Sequence, residues 1–328
     1  MTASDGPSVY ITRPLPEPGS ALLEGAGYTI DQHARDAPPA RRELLAHSAG
    51  KHALLAMLTE QIDAELLDVA PTLRVVANLA VGYDNVDVPA ATERGVIVTN
   101  TPDVLTEATA DLTWALLLAA ARRLGEGDRL VRSGGWEGWS PTQLLGQPVA
   151  GRTLGIIGMG KIGGAVARRA RGFGMAVRYH NRRAVPVPEG ESLAELVDLD
   201  TLLRTSDILT VHAPLTDETH HLLDADALSR LRPHVVLVNT ARGPIIDEVA
   251  LVDALRTRTI AAAGLDVFER EPALTRALTE LDNVVLAPHI GSATTEARAA
   301  MVRLCSENIV AVLNGDRPLT PVNPEVLA

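Results

Sequence analysis

Six residues constrain this chain more than any others. They are GMGKIG, Gly158 to Gly163, set between the apolar run TLGII and the helical pattern GAVARRARGF. Gly158 permits a tight turn, Gly160 lets a backbone approach a pyrophosphate, and Gly163 lets helix and strand pack closely. The first turn of the helix then presents unpaired N–H groups to phosphates. In a strand–turn–helix context the pattern predicts dinucleotide binding, with Met159, Lys161 and Ile162 completing the loop. A chain carrying it needs a parallel, doubly wound sheet around it.

The rest of the sequence supplies such sheets. Short apolar runs alternate with longer helical patterns: SVYIT, HALLAM, LRVVANLA and GVIVTN in the first hundred residues, then TLGIIG, AVRYHN, DILTVHA, HVVLVNT, IAAAGLDV and NVVLAPHI. Continuous apolar strands separated by helices indicate parallel sheets covered on both faces. The expected fold class is α/β with two doubly wound, Rossmann-like domains, which the length of 328 residues accommodates. Between the two series, TPDVLTEATADLTWALLLAAARRL predicts a long helix with Asp103 as its cap. TTEARAAMVRLCSENIVAVLNG predicts a C-terminal helix ended by Gly315.

Composition excludes several classes. A net charge of −11 disfavours nucleic acid and anionic membranes as partners. The start MTASDGPSVY has no basic and apolar regions of a signal peptide. WALLLAAA, Trp114 to Ala121, is far shorter than the ~20 residues that span a bilayer. One cysteine, Cys305, allows no internal disulfide, and its position predicts a core residue of the last helix. A cytoplasmic protein is expected. The nine histidines form no metal-ligand spacing, and the adjacent His220 and His221 are expected to flank a loop.

At the end of the second strand of the fingerprint unit stands YHNRR, Tyr179 to Arg183. A carboxylate at this place binds the ribose 2′-hydroxyl of NAD and repels a 2′-phosphate. Asn181 removes that repulsion, and Arg182 and Arg183 offer charge-assisted hydrogen bonds to the phosphate. The residues therefore predict a preference for NADP(H), with NAD(H) as the second cofactor.

Three charged residues end successive apolar strands: Arg242 in NTARG, Glu271 in DVFEREP and His289 in APHIG. Strand carboxyl ends are where ligands bind in open α/β sheets. Hydride delivery to a 2-oxo acid needs a cation to hold the carboxylate and polarise the carbonyl, which suits the fork of Arg242. It needs a proton for the developing alkoxide, which suits His289. A carboxylate at Glu271 would orient that ring and favour its protonated form.

Taken with these motifs, the sequence resembles the D-isomer-specific 2-hydroxyacid dehydrogenases from about HALLAM to the C-terminus. AVGYDNVDV resembles the family's substrate loop, GMGKIGGAVARRARGFGM its cofactor signature and VNTARGPIIDEVAL its arginine signature. GLDVFEREP and APHIGSAT match the segments that hold its Glu and His. The resemblance implies Arg242, Glu271 and His289 as the catalytic set, with backbone N–H groups of Val81 and Gly82 on the substrate carboxylate. It implies Asp266 on the nicotinamide carboxamide, Thr109 beside that ring, and further cofactor contacts at His212, Ala213, Pro214, Thr240, Ala241 and Gly291. It also implies a discontinuous first domain: 1–103 with 293–328 for substrate, and 104–292 for the dinucleotide.

The NRR pair and the loop RSGGWEGWSPTQ look most like the glyoxylate/hydroxypyruvate reductase branch, whose small 2-oxo acids would be the substrates. Members are usually homodimers, and the resemblance implies that Trp139 of one subunit walls the partner's substrate pocket. Similar motifs occur in 2-ketogluconate and phosphite dehydrogenases and in nucleotide-sensing corepressors, so those readings stay open.

Overall fold

The computed structural model describes residues 6–185 and 194–327; the first five residues of the amino-terminal stretch read above lie outside them. The chain forms two compact units, one of residues 1–105 with 293–328 and one of residues 106–292.

The first unit is built on five parallel strands, β1 (Ser8–Ile11), β2 (Thr29–Gln32), β3 (Ala53–Ala56), β4 (Val75–Asn78) and β5 (Ile97–Thr99). Their order is β2-β1-β3-β4-β5. β3, β4 and β5 are buried along their whole length, which is why they read as unbroken apolar runs. β2, TIDQ, was not among the expected strands. It is an edge strand with no buried residue, so it has no apolar run to reveal it. The C-terminal helix Thr295–Asn314 starts on a Thr294 cap, stops at Gly315 with φ 86°, and packs against β4. Arg74 donates to its last carbonyls, Val312 O at 2.7 Å and Leu313 O at 3.0 Å, where the helix dipole favours a cation. Cys305 is fully buried in this helix, and burial pushes its thiol pKa up, which keeps it unreactive.

The second unit carries seven parallel strands: β6 (Thr153–Ile157), β7 (Ala176–His180), β8 (Glu195–Leu196), β9 (Ile208–Val211), β10 (Val236–Asn239), β11 (Ala262–Leu265) and β12 (Val284–Leu286). The order β12-β11-β10-β9-β6-β7-β8 puts the switch point between β6 and β9. Six strands were expected, and β8 is an exposed two-residue addition at the edge.

The helix Thr106–Ala121 lies on β10 and β11. Gly264 makes the approach possible, because an added Cβ would stand 2.9 Å from Leu116 Cβ. Asp103 is not its cap: the helix begins at Thr106, and Asp103 precedes it with φ 72°. Trp114 is buried, stacked on Phe173 at 4.6 Å, with its indole N–H donated to Val166 O. Trp136 and Trp139 differ: they are 54% and 83% exposed. The helix Leu124–Arg132 just before them has no buried residue, and Leu124, Val131 and Leu145 are exposed too. Within the unit this segment covers little core.

Candidate active site

The glycine loop fits a dinucleotide on its own geometry. Gly158 has φ 94°, and a Cβ there would meet Ala213 N at 2.5 Å and His212 C at 2.6 Å. A Cβ on Gly163 would meet Gly158 O at 2.2 Å. At Gly160, the N-cap of the helix Lys161–Ala170, an added Cβ meets nothing within 4 Å. Two glycines are thus needed for packing, while the third leaves the helix N-terminus bare for an anion. The loop is braced from β7: Asn181 Oδ1 accepts from Met159 N–H at 2.7 Å. Arg182 pairs with Glu218 at 2.9 Å, both exposed, and Arg183 is exposed beside it. At the end of β9, the His212 N–H is donated to Ile157 O at 2.7 Å, and burial drives its ring pKa down to about 3, so the ring is neutral. Half-buried Ala213 and exposed Pro214 follow it.

Arg242, Glu271 and His289 follow β10, β11 and β12 in turn. His289 Nδ1 lies 2.7 Å from Glu271 Oε2, and Glu271 Oε1 accepts from Phe268 N–H at 3.0 Å. Burial opposes ionisation of Glu271. The hydrogen bond and charge of His289, the Phe268 N–H and the Arg242 charge outweigh it and hold the carboxyl below its usual range. An ionised Glu271 only accepts, so Nδ1 of His289 carries a proton and Nε2 is the nitrogen left for chemistry. Arg242 is half-buried, and its Nη1 donates to Ala241 O at 2.9 Å. The turn after it abuts the Glu271 loop so closely that a Cβ on Gly243 would stand 1.9 Å from Phe268 C and O.

Two further carboxylates fasten these loops. Asp266, 1% exposed, accepts from Ile290 N–H at 2.7 Å and Gly291 N–H at 2.8 Å, while its own carbonyl accepts from His289 N–H at 2.8 Å. Burial raises its pKa, opposed by those N–H groups and by the His289 charge. The three bonds hold His289 at φ 54°, a left-handed conformation that costs a non-glycine residue about 1–3 kcal/mol. Buried Glu248 accepts from Glu269 N–H at 3.0 Å and Thr275 N–H, and its own N–H is donated to Glu269 Oε2 at 3.2 Å. Sequence reading missed both tethers, because nothing in GLDVF or IIDEV marks a carboxylate as a loop fastener. Thr109 and Thr240 join this cluster: Thr113 Oγ1 bonds to Thr109 O at 2.8 Å and to Thr240 Oγ1 at 2.9 Å. A Cβ on Gly291 would stand 3.4 Å from Thr109 Cγ2. Among the described residues no cluster of His, Cys, Asp and Glu is arranged to hold a metal.

In the other unit, Val81 and Gly82 follow β4 in a half-buried loop. Their carbonyls are taken, by Asn100 Nδ2 at 2.7 Å and Asn78 Nδ2 at 2.9 Å. Among the described residues their N–H groups donate to nothing.

Residues 114–291 match the model of the D-isomer specific 2-hydroxyacid dehydrogenase NAD-binding domain. The chain belongs to this family. It is 51% identical to a glyoxylate reductase of Thermococcus onnurineus over 98% of this chain and 97% of that one. Among solved structures, a protein from Thermus thermophilus is 45% identical with a TM-score of 0.90, covering 96% of this chain and 99% of that one. An NADPH-dependent glyoxylate/hydroxypyruvate reductase from Sinorhizobium meliloti, solved with NADP and malonate, is 38% identical with a TM-score of 0.84 over 96% of each chain. The matched residues fall in the unit with the seven-stranded sheet, and the other unit carries the five-stranded parallel sheet.

Proposed function

We propose that this dehydrogenase reduces glyoxylate and hydroxypyruvate to glycolate and D-glycerate, with NADPH preferred to NADH. The observation that carries the reading is the His289–Glu271 pair at 2.7 Å with Arg242 on the neighbouring strand end. The similarity to glyoxylate reductases narrows the substrate to small 2-oxo acids. The glycine loop, with Thr109, Asp266 and Gly291, would hold a reduced nicotinamide, which would supply the hydride. Arg242 holds the substrate carboxylate and polarises the carbonyl, and the N–H groups of Val81 and Gly82 are further donors suited to a carboxylate. Protonated His289 gives its Nε2 proton to the oxygen as negative charge develops there, and Glu271 keeps the ring in that orientation.

The cofactor preference rests on Asn181, Arg182 and Arg183. Asn181 stands where a carboxylate would repel a 2′-phosphate, and Glu218 competes with that phosphate for Arg182. The exposed apolar side chains of residues 124–145 support a homodimer, with Trp139 of each subunit against the other's substrate pocket. Among the described residues no helix is long and apolar enough to cross a membrane, and the acidic surface fits a cytoplasmic enzyme without nucleic-acid partners. The test is a panel of 2-oxo acids, sugar acids and phosphite with both nicotinamides. Glyoxylate and hydroxypyruvate should give the highest kcat/KM, with NADPH. Turnover confined to phosphite or 2-ketogluconate would replace this reading, and no turnover with any of them would favour a nucleotide-sensing regulator.

A further inference from the structure

The N–H groups of Val81, Gly82 and Tyr83 are three in a row that donate to nothing among the described residues. A trans peptide unit is planar, so its C=O and N–H point in opposite directions, and fixing one aims the other. All three units here are trans, the only cis bonds being Glu17–Pro18 and Glu271–Pro272 among the described residues. Each of the three is fixed from its carbonyl side. Ala80 O accepts from Thr101 N–H at 2.8 Å, which sets the Val81 N–H. Val81 O accepts from Asn100 Nδ2 at 2.7 Å, which sets the Gly82 N–H. Gly82 O accepts from Asn78 Nδ2 at 2.9 Å, which sets the Tyr83 N–H.

Both asparagines are themselves anchored. Asn78, fully buried, exchanges amide hydrogen bonds with Asn85 at 3.2 and 3.3 Å, and Asn85 Nδ2 also reaches Glu60 O at 3.0 Å. Asn100 is held from the C-terminal tail: its carbonyl accepts from Thr320 Oγ1 at 2.7 Å. Thr320 is in turn gripped by fully buried Asn308, whose Oδ1 accepts from Leu319 N–H at 2.7 Å and whose Nδ2 reaches Thr320 Oγ1 at 2.8 Å. The tail continues along β5, with Val322 N–H donated to Val98 O at 2.8 Å and Asn323 Oδ1 accepting from Val98 N–H at 2.8 Å.

We infer that Asn100 and Asn78 are positioning residues that pre-form the substrate-carboxylate cradle by pinning its carbonyls, and that the C-terminal tail, through Thr320 and Asn308, locks Asn100 in that role. The inference rests on the 2-oxo acid reading above. Donors already aimed lose little freedom when the anion arrives, so loosening them weakens binding of ground state and transition state alike. The expected signature is a raised KM with kcat retained.

The test measures KM for glyoxylate, kcat and the NADPH Kd in Asn100→Ala, Thr320→Val and Thr320→Ser. Asn100→Ala should raise KM about tenfold, and Thr320→Val by roughly threefold, with kcat and the NADPH Kd within about twofold of the parent. Thr320→Ser keeps the hydroxyl and should behave as the parent. A tail that serves packing alone gives the opposite order, with the isosteric Val tolerated and Ser harmful, and this overturns the proposal. So does an unchanged KM in folded Asn100→Ala. If Asn100→Ala does not fold, the Thr320 pair decides. Failure of the parent itself to reduce any 2-oxo acid removes the functional reading, and the inference with it; a competent parent with unaltered variants removes the inference only.

Discussion

In the unit of residues 1–105 and 293–328, the loop at Val81–Gly82 is held by uncharged amides, Asn78 and Asn100. In the unit of residues 106–292, the loops at Glu271 and His289 are held by carboxylates, Glu248, Asp266 and Glu271 itself. Amide side chains do not titrate, so the first loop keeps its shape across pH. Carboxylates do, and two of those in the second unit have shifted pKa values in opposite directions. On the proposed function, the difference separates a passive anion site from an acid–base centre. It predicts that pH acts on the chemical step far more than on substrate affinity.

The largest effect should come from His289→Ala, which removes the proton donor and should lower glyoxylate reduction by ~10²–10⁴-fold. Steady-state assay of the folded variant checks it, and a near-normal kcat would remove His289 from the chemistry. Arg242→Lys comes next. An ammonium cannot reproduce a bidentate grip on a carboxylate, so KM and kcat should both worsen, with kcat/KM down by about tenfold or more. An unchanged kcat/KM would remove Arg242 from the substrate carboxylate.

The pH profile tests the comparison directly. The folded-state pKa of Glu271 lies below its ordinary value, so its bond to His289 is present above that value and is lost as pH falls through the lower one. On the acid side, kcat should therefore hold until below about pH 4.3, the ordinary glutamate value, with KM for glyoxylate flat over the same range. On the alkaline side reduction should fall and oxidation rise, because the forward step consumes a proton and the reverse step releases one. An acid limb centred well above the ordinary glutamate value, or a KM that tracks kcat, would show that the two units do not divide the work this way.

The smallest effect concerns the cofactor. Asn181→Asp keeps the acceptor that braces Met159 N–H, so its added charge acts without loosening the glycine loop. Combined with Arg182→Ala it should shift kcat/KM from NADPH towards NADH by roughly tenfold, the loss of one charge-assisted contact and the gain of one repulsion. A parent that already prefers NADH would show that Glu218, not the phosphate, is the natural partner of Arg182.

Most of the architecture was legible because buried parallel strands are continuous apolar runs, and β3, β4, β9 and β10 are buried at every position. Two edge strands without buried residues were not: TIDQ and Glu195–Leu196 are strands by hydrogen bonding alone. Asp103 looked like a cap because it precedes a helical pattern, but the chain takes two more residues to enter the helix. The candidate reactive side chains, Arg242, Glu271 and His289, were found because they stand after apolar strands. Their supports did not, since Asn78, Asn100, Glu248 and Thr320 earn their places through partners up to 220 residues away in sequence.

The left-handed backbone at His289 has a consequence for how this protein can change. Glycine adopts φ 54° without penalty, and asparagine does so more readily than histidine. At this position the replacements that relax the backbone are therefore those that discard the imidazole. If His289 is the proton donor proposed above, selection for heat resistance alone would drift towards a sturdier protein without one, and only continued demand for turnover keeps the strained residue in place.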